Sequence, residues 1–146
     1  MYRNLRRNFD GFTMVEILVV VLIMAVLMAV AIPLYVNATG TAQRTQCRAN
    51  MQTISNAEHQ YQLKYSGANG PTHGYMAVNN TTDLATLFTY SGGLTTVTCP
   101  NGGAYTVVVT GSTTGTTNDS RTIPVNSYAV ECSYGTHGSF MPGDSN

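Results

Sequence analysis

Charge is scarce in this chain. Its 146 residues hold seven Lys and Arg against seven Asp and Glu, a formal net charge of zero. That balance leaves no basic footprint, so nucleic acid is not an expected partner. Catalytic patterns are missing as well. No G-x-S-x-G elbow, paired-carboxylate spacing or His/Asp set stands out, and no enzyme activity is expected. The three cysteines, Cys47, Cys99 and Cys132, include no C-x2-C pair. With His137 they would supply a Cys3His set, but the spacing is a weak metal signal, and neither a metal nor another cofactor is expected. His59, on a helix, and His73, beside Gly74, have no matched ligand nearby and read as solvated. Of the nine tyrosines, Tyr61, Tyr65, Tyr105 and Tyr128 read as core.

The most informative absence lies near the N-terminus. From Ile17 to Ile32 there is no polar residue, and with Phe12 to Val15 the apolar block is interrupted only by Glu16. As a helix, these roughly 21 residues would span about 31 Å, the thickness of a bilayer's hydrocarbon core. Arg3, Arg6 and Arg7 precede the block, and nothing basic follows until Arg44. The positive-inside bias then keeps the N-terminus cytoplasmic and sends residues from about 37 onward outside. A charge in such a segment costs on the order of 2.5–3.5 kcal/mol at the helix centre and less near an end. Glu16 has no cationic partner within the span, so its partner is expected outside it: a neighbouring subunit, or an amino terminus made by proteolysis.

Three plainer readings compete. A simple membrane anchor explains the apolar run but not Glu16. A secretory signal peptide is suggested by Ala29-Val30-Ala31, which would release a soluble domain starting at Ile32. The long n-region with its acidic end and the over-long apolar run argue against it. A buried helix of a soluble protein is disfavoured because so long a charge-free run is hard to cover in 146 residues.

Gly11-Phe12-Thr13-Met14-Val15-Glu16 followed by the apolar run resembles the class III signal of type IV prepilins and type II secretion pseudopilins. The resemblance implies that a membrane peptidase cuts between Gly11 and Phe12 and methylates the Phe12 amine. It also implies that Glu16 recruits the subunit by pairing with a neighbour's terminal amine. Pro33 matches a proline common in the family's helix. Asp10 departs from the pattern, since many leaders carry Lys or Arg there. The resemblance is strong over residues 11–35, extends to about 65 and fades beyond. Cys47-Arg48-Ala49-Asn50 with Ile54, Ala57 and Tyr61 is similar to the same region of many pilin-like proteins. Cys99 to Tyr105, Cys132-Ser133 and His137-Gly138 look like C-terminal elements of some secretion proteins of this kind.

The chain therefore divides into a leader at 1–11, a transmembrane and assembly helix at 12–36, and an amphipathic helix with a globular sheet domain at 37–146. Without the leader, four basic residues face six acidic ones, a net charge of −2. Pro33 lacks an N–H and clashes with the carbonyl of Ala29, so a kink is expected there, and Gly40 is a second soft point. Cys47, Met51, Ile54, Ala57 or Glu58, Tyr61 and Tyr65 recur at steps of three and four, the mark of a helix with one buried stripe. Ser66-Gly67 and Gly70-Pro71 end it. Tyr75–Val78 suggests a short strand, and Asp83 is the expected cap of a helix from Leu84 to Tyr90. Leu94–Thr98 suggests an edge strand. Ala104–Thr110 and Val125–Cys132 read as the best strand pair, with Tyr105 opposite Val130 and Val107 opposite Tyr128. Between them, 111–124 is polar and Thr-rich and reads as an exposed, variable loop. Its Asn-x-Ser/Thr match, like those at Asn37, Asn79 and Asn80, is what chance gives in so Asn/Thr-rich a chain.

The fold expected is α+β, a long N-terminal helix whose outer half packs on a small antiparallel sheet, and this is also the pilin-like architecture. In the expected register residue 103 faces Cys132 and Cys99 lies one turn away. A Cys99–Cys132 disulfide is therefore favoured, and closing a loop of roughly 30 residues stabilises by about 3–4 kcal/mol in the chain-entropy model. Cys47 would be a free thiol, although three cysteines allow three pairs.

The function expected is a structural subunit of a type IV pilus-like filament. The alternatives are a type II secretion pseudopilin, or a low-copy minor or tip pilin acting as a binding module. Its partners would be copies of itself and other pilins in a helical filament, a prepilin peptidase, an inner-membrane assembly platform, and lipid before assembly. It would sit in the inner membrane with its C-terminal domain outside, then in an extracellular or periplasmic filament.

Overall fold

The computed structural model of the protein describes residues 11–65, 74–91, 97–135 and 137–144. The leader before Gly11, the helix-ending residues 66–71, His73 and residues 94–96 of the expected edge strand lie outside this range. Two compact units divide the chain, 1–39 and 40–146.

The first unit contains the start of α1 (Met14–Tyr65), a 52-residue helix that continues through Pro33 and Gly40. Among the described residues it is the one helix long and apolar enough to cross a membrane, with an 18-residue window of mean hydropathy 3.2. None of that window is buried by the protein, and the large apolar side chains from Phe12 to Val36 are exposed. In water this arrangement would forgo all the free energy of apolar burial, so the segment belongs in lipid or against other helices.

The second unit is built on residues 40–65 of α1. Here the apolar stripe is covered: Cys47, Met51, Ile54, Ser55, Ala57 and Glu58 are buried. Tyr61 and Tyr65 are half-buried and form a ring cluster with Tyr90, at centroid distances of 4.8 to 5.7 Å. Against the stripe packs α2 (Thr81–Ser91) through Leu84, Leu87 and Phe88. A three-stranded antiparallel sheet of order β1-β4-β5 completes the core, formed by Tyr105–Val109, Tyr128–Cys132 and Ser139–Phe140. The central strand β4 is the best buried, because strands flank it on both sides. Tyr128 ties it to the helix, its Oη donating to the Ser55 carbonyl at 3.0 Å and lying 2.6 Å from Ser55 Oγ.

Several expectations are corrected at this level. The strand register is two residues off the expected one: Tyr105 pairs with Cys132, Val107 with Val130 and Val109 with Tyr128. A shift of two keeps every side chain on its own face, so the inward pattern was right while the partners were not. The register is set where the strands part, by Thr110 N–H donating to Ser127 O and Asn126 N–H to Gly111 O. The stretch 111–124 is not simply an exposed loop. It holds a two-stranded ribbon, β2 (Gly115–Thr116) with β3 (Thr122–Ile123), and both Thr117 and Ile123 are buried. Asn118 pins the ribbon to the sheet, its N–H donating to Glu131 Oε1 and its Nδ2 to the Cys132 carbonyl.

The described stretch after β4 is also held in place. Phe140 in β5 is buried, and Arg121 grips Asp144 with two hydrogen bonds, at 2.8 and 2.6 Å. The Asp144 carboxyl is held below the usual carboxylate range by that guanidinium. The expected strand at Tyr75–Val78 reduces to one bridge, Val78 with Val107.

The cap of α2 is Asn80 and not Asp83. Asn80 Oδ1 accepts the N–H groups of Thr82 and Asp83, while Asp83 reaches back to the N–H of Asn79. This reciprocal arrangement satisfies donors that the first helical turn leaves free. Asn80→Ala is expected to destabilise the protein by about 1 kcal/mol, read as a lower urea midpoint at unchanged slope.

Candidate functional site

Two places gather chemistry. The first is the start of α1. Thr13 caps it: its Oγ1 accepts the N–H of Glu16 at 3.2 Å and its carbonyl accepts the N–H of Ile17 at 3.3 Å. Glu16 is then the third helical residue, and Thr13-Met14-Val15-Glu16 has capping-box spacing. The reading of the sequence passed over this role for Thr13, although the T-x-x-E pattern before an apolar run was there to be seen. A carboxylate in the first turn also meets the positive end of the helix dipole. Gly11 and Phe12 precede the helix, exposed, with nothing within 4 Å of where a Cβ on Gly11 would stand.

The second place is in the sheet-bearing unit. Cys47 on α1, Cys99 before β1, Cys132 at the end of β4 and His137 before β5 come together. Their ligating atoms all lie within 4.8 Å of one another. The three thiols are free and buried. His137 Nδ1 lies 3.4 Å from Cys99 Sγ and 3.8 Å from Cys132 Sγ, and its Nε2 is buried without a hydrogen-bond partner. Tyr105 Oη donates to Cys47 Sγ at 3.4 Å and is itself fixed by Asn50 Nδ2 at 3.1 Å. The second amide hydrogen-bond partner of Asn50 Nδ2 is the Thr98 carbonyl, next to Cys99.

The thiols differ electrostatically. Burial pushes Cys47 up to about 12 and also raises Cys132. Burial acts on Cys99 in the same sense, but the backbone N–H groups of Asn101 and Gly103 outweigh it and hold that thiol below its ordinary value. Burial, with the nearby Arg44 charge, lowers His137. Of the other histidines in the described range, His59 is exposed and packs its ring edge-on to Tyr75 and Tyr128.

The first site and the fold define a class: an α+β protein whose N-terminal helix is of membrane-crossing length and bears one carboxylate in its first turn. Residues 6–32 match the family described as the prokaryotic N-terminal methylation motif. Residues 6–32 thus carry the prepilin-type signal found in type IV pilins and pseudopilins. No curated protein and no solved structure matches it.

Proposed function

We propose that this protein is a structural subunit of a type IV pilus-like filament, made as a prepilin and incorporated through its N-terminal helix. The observation that carries the reading is the match over residues 6–32, on a helix whose apolar side chains are left exposed around a single carboxylate. A prepilin peptidase removes residues 1–11 by cutting between Gly11 and Phe12, and Phe12 is then N-methylated. Until assembly the helix lies in the inner membrane with residues 37–146 outside. There an unpaired Glu16 is held at a cost. The methylated amine of a neighbour's Phe12 relieves it, so incorporation has a direction, and the apolar faces pack as the filament's core. Pro33 and Gly40 are places where the helix can open locally as it packs.

The same residues serve a type II secretion pseudopilin. Copy number separates a filament-body subunit from a low-copy minor or tip pilin acting as a binding module: thousands of subunits per cell make a filament body, a few make a priming or tip role.

The first test is the intact mass and N-terminal sequence of the protein from membranes or sheared filaments. A start at Phe12 carrying one extra methyl group is expected. A start at Ile32 or at Met1 would refute the proposal. Glu16→Val is then expected to be processed normally while sheared filaments fall at least tenfold. Normal filaments from that variant would sink the pairing mechanism.

A further inference from the structure

We propose that Cys47, Cys99, Cys132 and His137 form a structural zinc site that clamps helix α1 to one end of the β1–β4 strand pair, where β1 begins and β4 ends. Three sulfurs and one imidazole nitrogen converge from four separate elements, with their ligating atoms within 4.8 Å. Zinc takes thiolate at about 2.3 Å and imidazole at about 2.0–2.1 Å in a tetrahedron. Those bond lengths place neighbouring donors about 3.6 Å apart for S···N and about 3.8 Å for S···S. The His137 nitrogen already stands 3.4 and 3.8 Å from two of the sulfurs. At the longest edge the cluster needs to contract by no more than about 1 Å.

A disulfide accounts for less of this arrangement. A Cys99–Cys132 bond would use two of the four groups and leave a third thiol and a half-buried imidazole against it. The imidazole is the discriminating part. Among the described residues Nε2 is buried without a hydrogen-bond partner, and the hydrogen-bond contacts of Nδ1 are to sulfur. A neutral ring with its proton on Nε2 points a free lone pair from Nδ1 at the thiols, as metal ligation requires.

The surroundings are those of thiolates. Backbone N–H groups of Asn101 and Gly103 reach Cys99, that of Tyr134 reaches Cys132, and the Tyr105 hydroxyl reaches Cys47. Each would stabilise a metal-bound sulfur, and the Asn50–Tyr105–Cys47 chain is an outer shell that orients its ligand. Soft donors in a tetrahedral set select zinc over the oxygen-seeking cations. All four positions come from the protein, so the ion has no open site for water and acts as a cross-link, not a catalyst. Loading one Zn2+ sends the protons of whichever thiols are still protonated, up to three, to solvent.

The test uses the full chain, solubilised from membranes in mild detergent without chelator or reductant. One zinc per chain is expected by elemental analysis. All three thiols should resist a thiol reagent until a chelator is added, then react together. Replacing the zinc with Co2+ should give the visible absorption of tetrahedral cobalt with thiolate-to-metal charge transfer. Cys132→Ser and His137→Ala should each lower bound zinc at least tenfold. If these variants do not fold, His137→Cys is the safer probe, since it should keep the metal and shift the cobalt bands toward those of an all-sulfur set. Zinc far below one per chain with three reactive thiols would overturn the site. So would a mass two hydrogens lighter that returns on reduction, which would assign the sulfurs to a disulfide.

Discussion

Glu58→Gln is expected to stabilise the protein by roughly 3 kcal/mol at pH 8 and to leave it unchanged near pH 4. Glu58 is fully buried on α1. Its Oε2 accepts the Met76 N–H at 3.0 Å, and its Oε1 has no hydrogen-bond partner. Burial raises its pKa from 4.5 to about 7, and the Met76 N–H offsets only part of that. The folded state therefore binds the proton more tightly than the unfolded chain does. Stability from this group is complete below the unfolded value of 4.5, falls as pH rises toward the folded value of about 7, and stays lost above it. Two and a half pH units at 1.36 kcal/mol each give the size of the effect. The glutamine keeps the acceptor for Met76 and removes the charge. Burial shifts His137 downward, which acts in the opposite sense over part of this range, so the measure is the difference between wild type and variant in thermal unfolding from pH 4 to pH 9. A wild type and variant that track each other across that range would show that Glu58 is solvated in solution.

Gly103→Ala is expected to destabilise by about 1–3 kcal/mol, the range for forcing atoms into a packed site. A Cβ there would stand 2.9 Å from Cys132 Sγ and 3.0 Å from both the Cβ and the backbone N of Tyr134. A backbone neighbour cannot swing aside as a long side chain would. The adjacent Gly102 offers a control with a different cause. It has open space around it but a φ of +77°, where an L residue is strained by roughly 1–2 kcal/mol. Asparagine, which tolerates that region, should restore much of the loss at 102 and nothing at 103. Denaturant midpoints of the four variants check both halves. Equal tolerance of asparagine at the two positions would mean that contact with the Cys132 sulfur does not set the requirement at 103.

How much could be read beforehand depended on whether the signal was local. The apolar run, Glu16 and the stripe from Cys47 to Tyr61 are patterns along one helix, and a period of three to four residues reports them directly. The strand pair at 105–109 and 128–132 was visible because alternation marks the buried face, but alternation is blind to a slip of two. The register follows from how Thr110, Gly111, Asn126 and Ser127 hydrogen-bond across the parting strands. The ribbon in 111–124 was hidden because Thr, Asn and Ser dominate its composition, while it is anchored through side-chain bonds from Asn118 and Asp119. The Asn80 cap was one residue-type decision away, since Asn and Asp both suit that place. The thiol–imidazole cluster was the least legible. Its members are 52, 33 and 5 residues apart in sequence, and only the sheet order and the packing of α1 bring them to one point.

The sheet order has a consequence for how the chain is made. The strand at the centre, Tyr128–Cys132, is made after α1, α2 and β1, and both of its neighbours depend on it. Tyr105–Val109 emerges earlier but, among the described residues, has no strand pairing beyond the Val78 bridge until β4 appears. Over the same interval the stripe of α1 with Cys47, Met51 and Ile54 lacks the part of its cover that β4 supplies. Contacts this distant along the chain form late and slowly, and apolar surface waiting for them invites aggregation or a protease. A chain cut short before Tyr128 would keep its entire N-terminal signal and helix yet lack the strand that closes the core. Such a fragment should be inserted and then degraded, so quality control of this protein falls on the completion of the strand at 128–132.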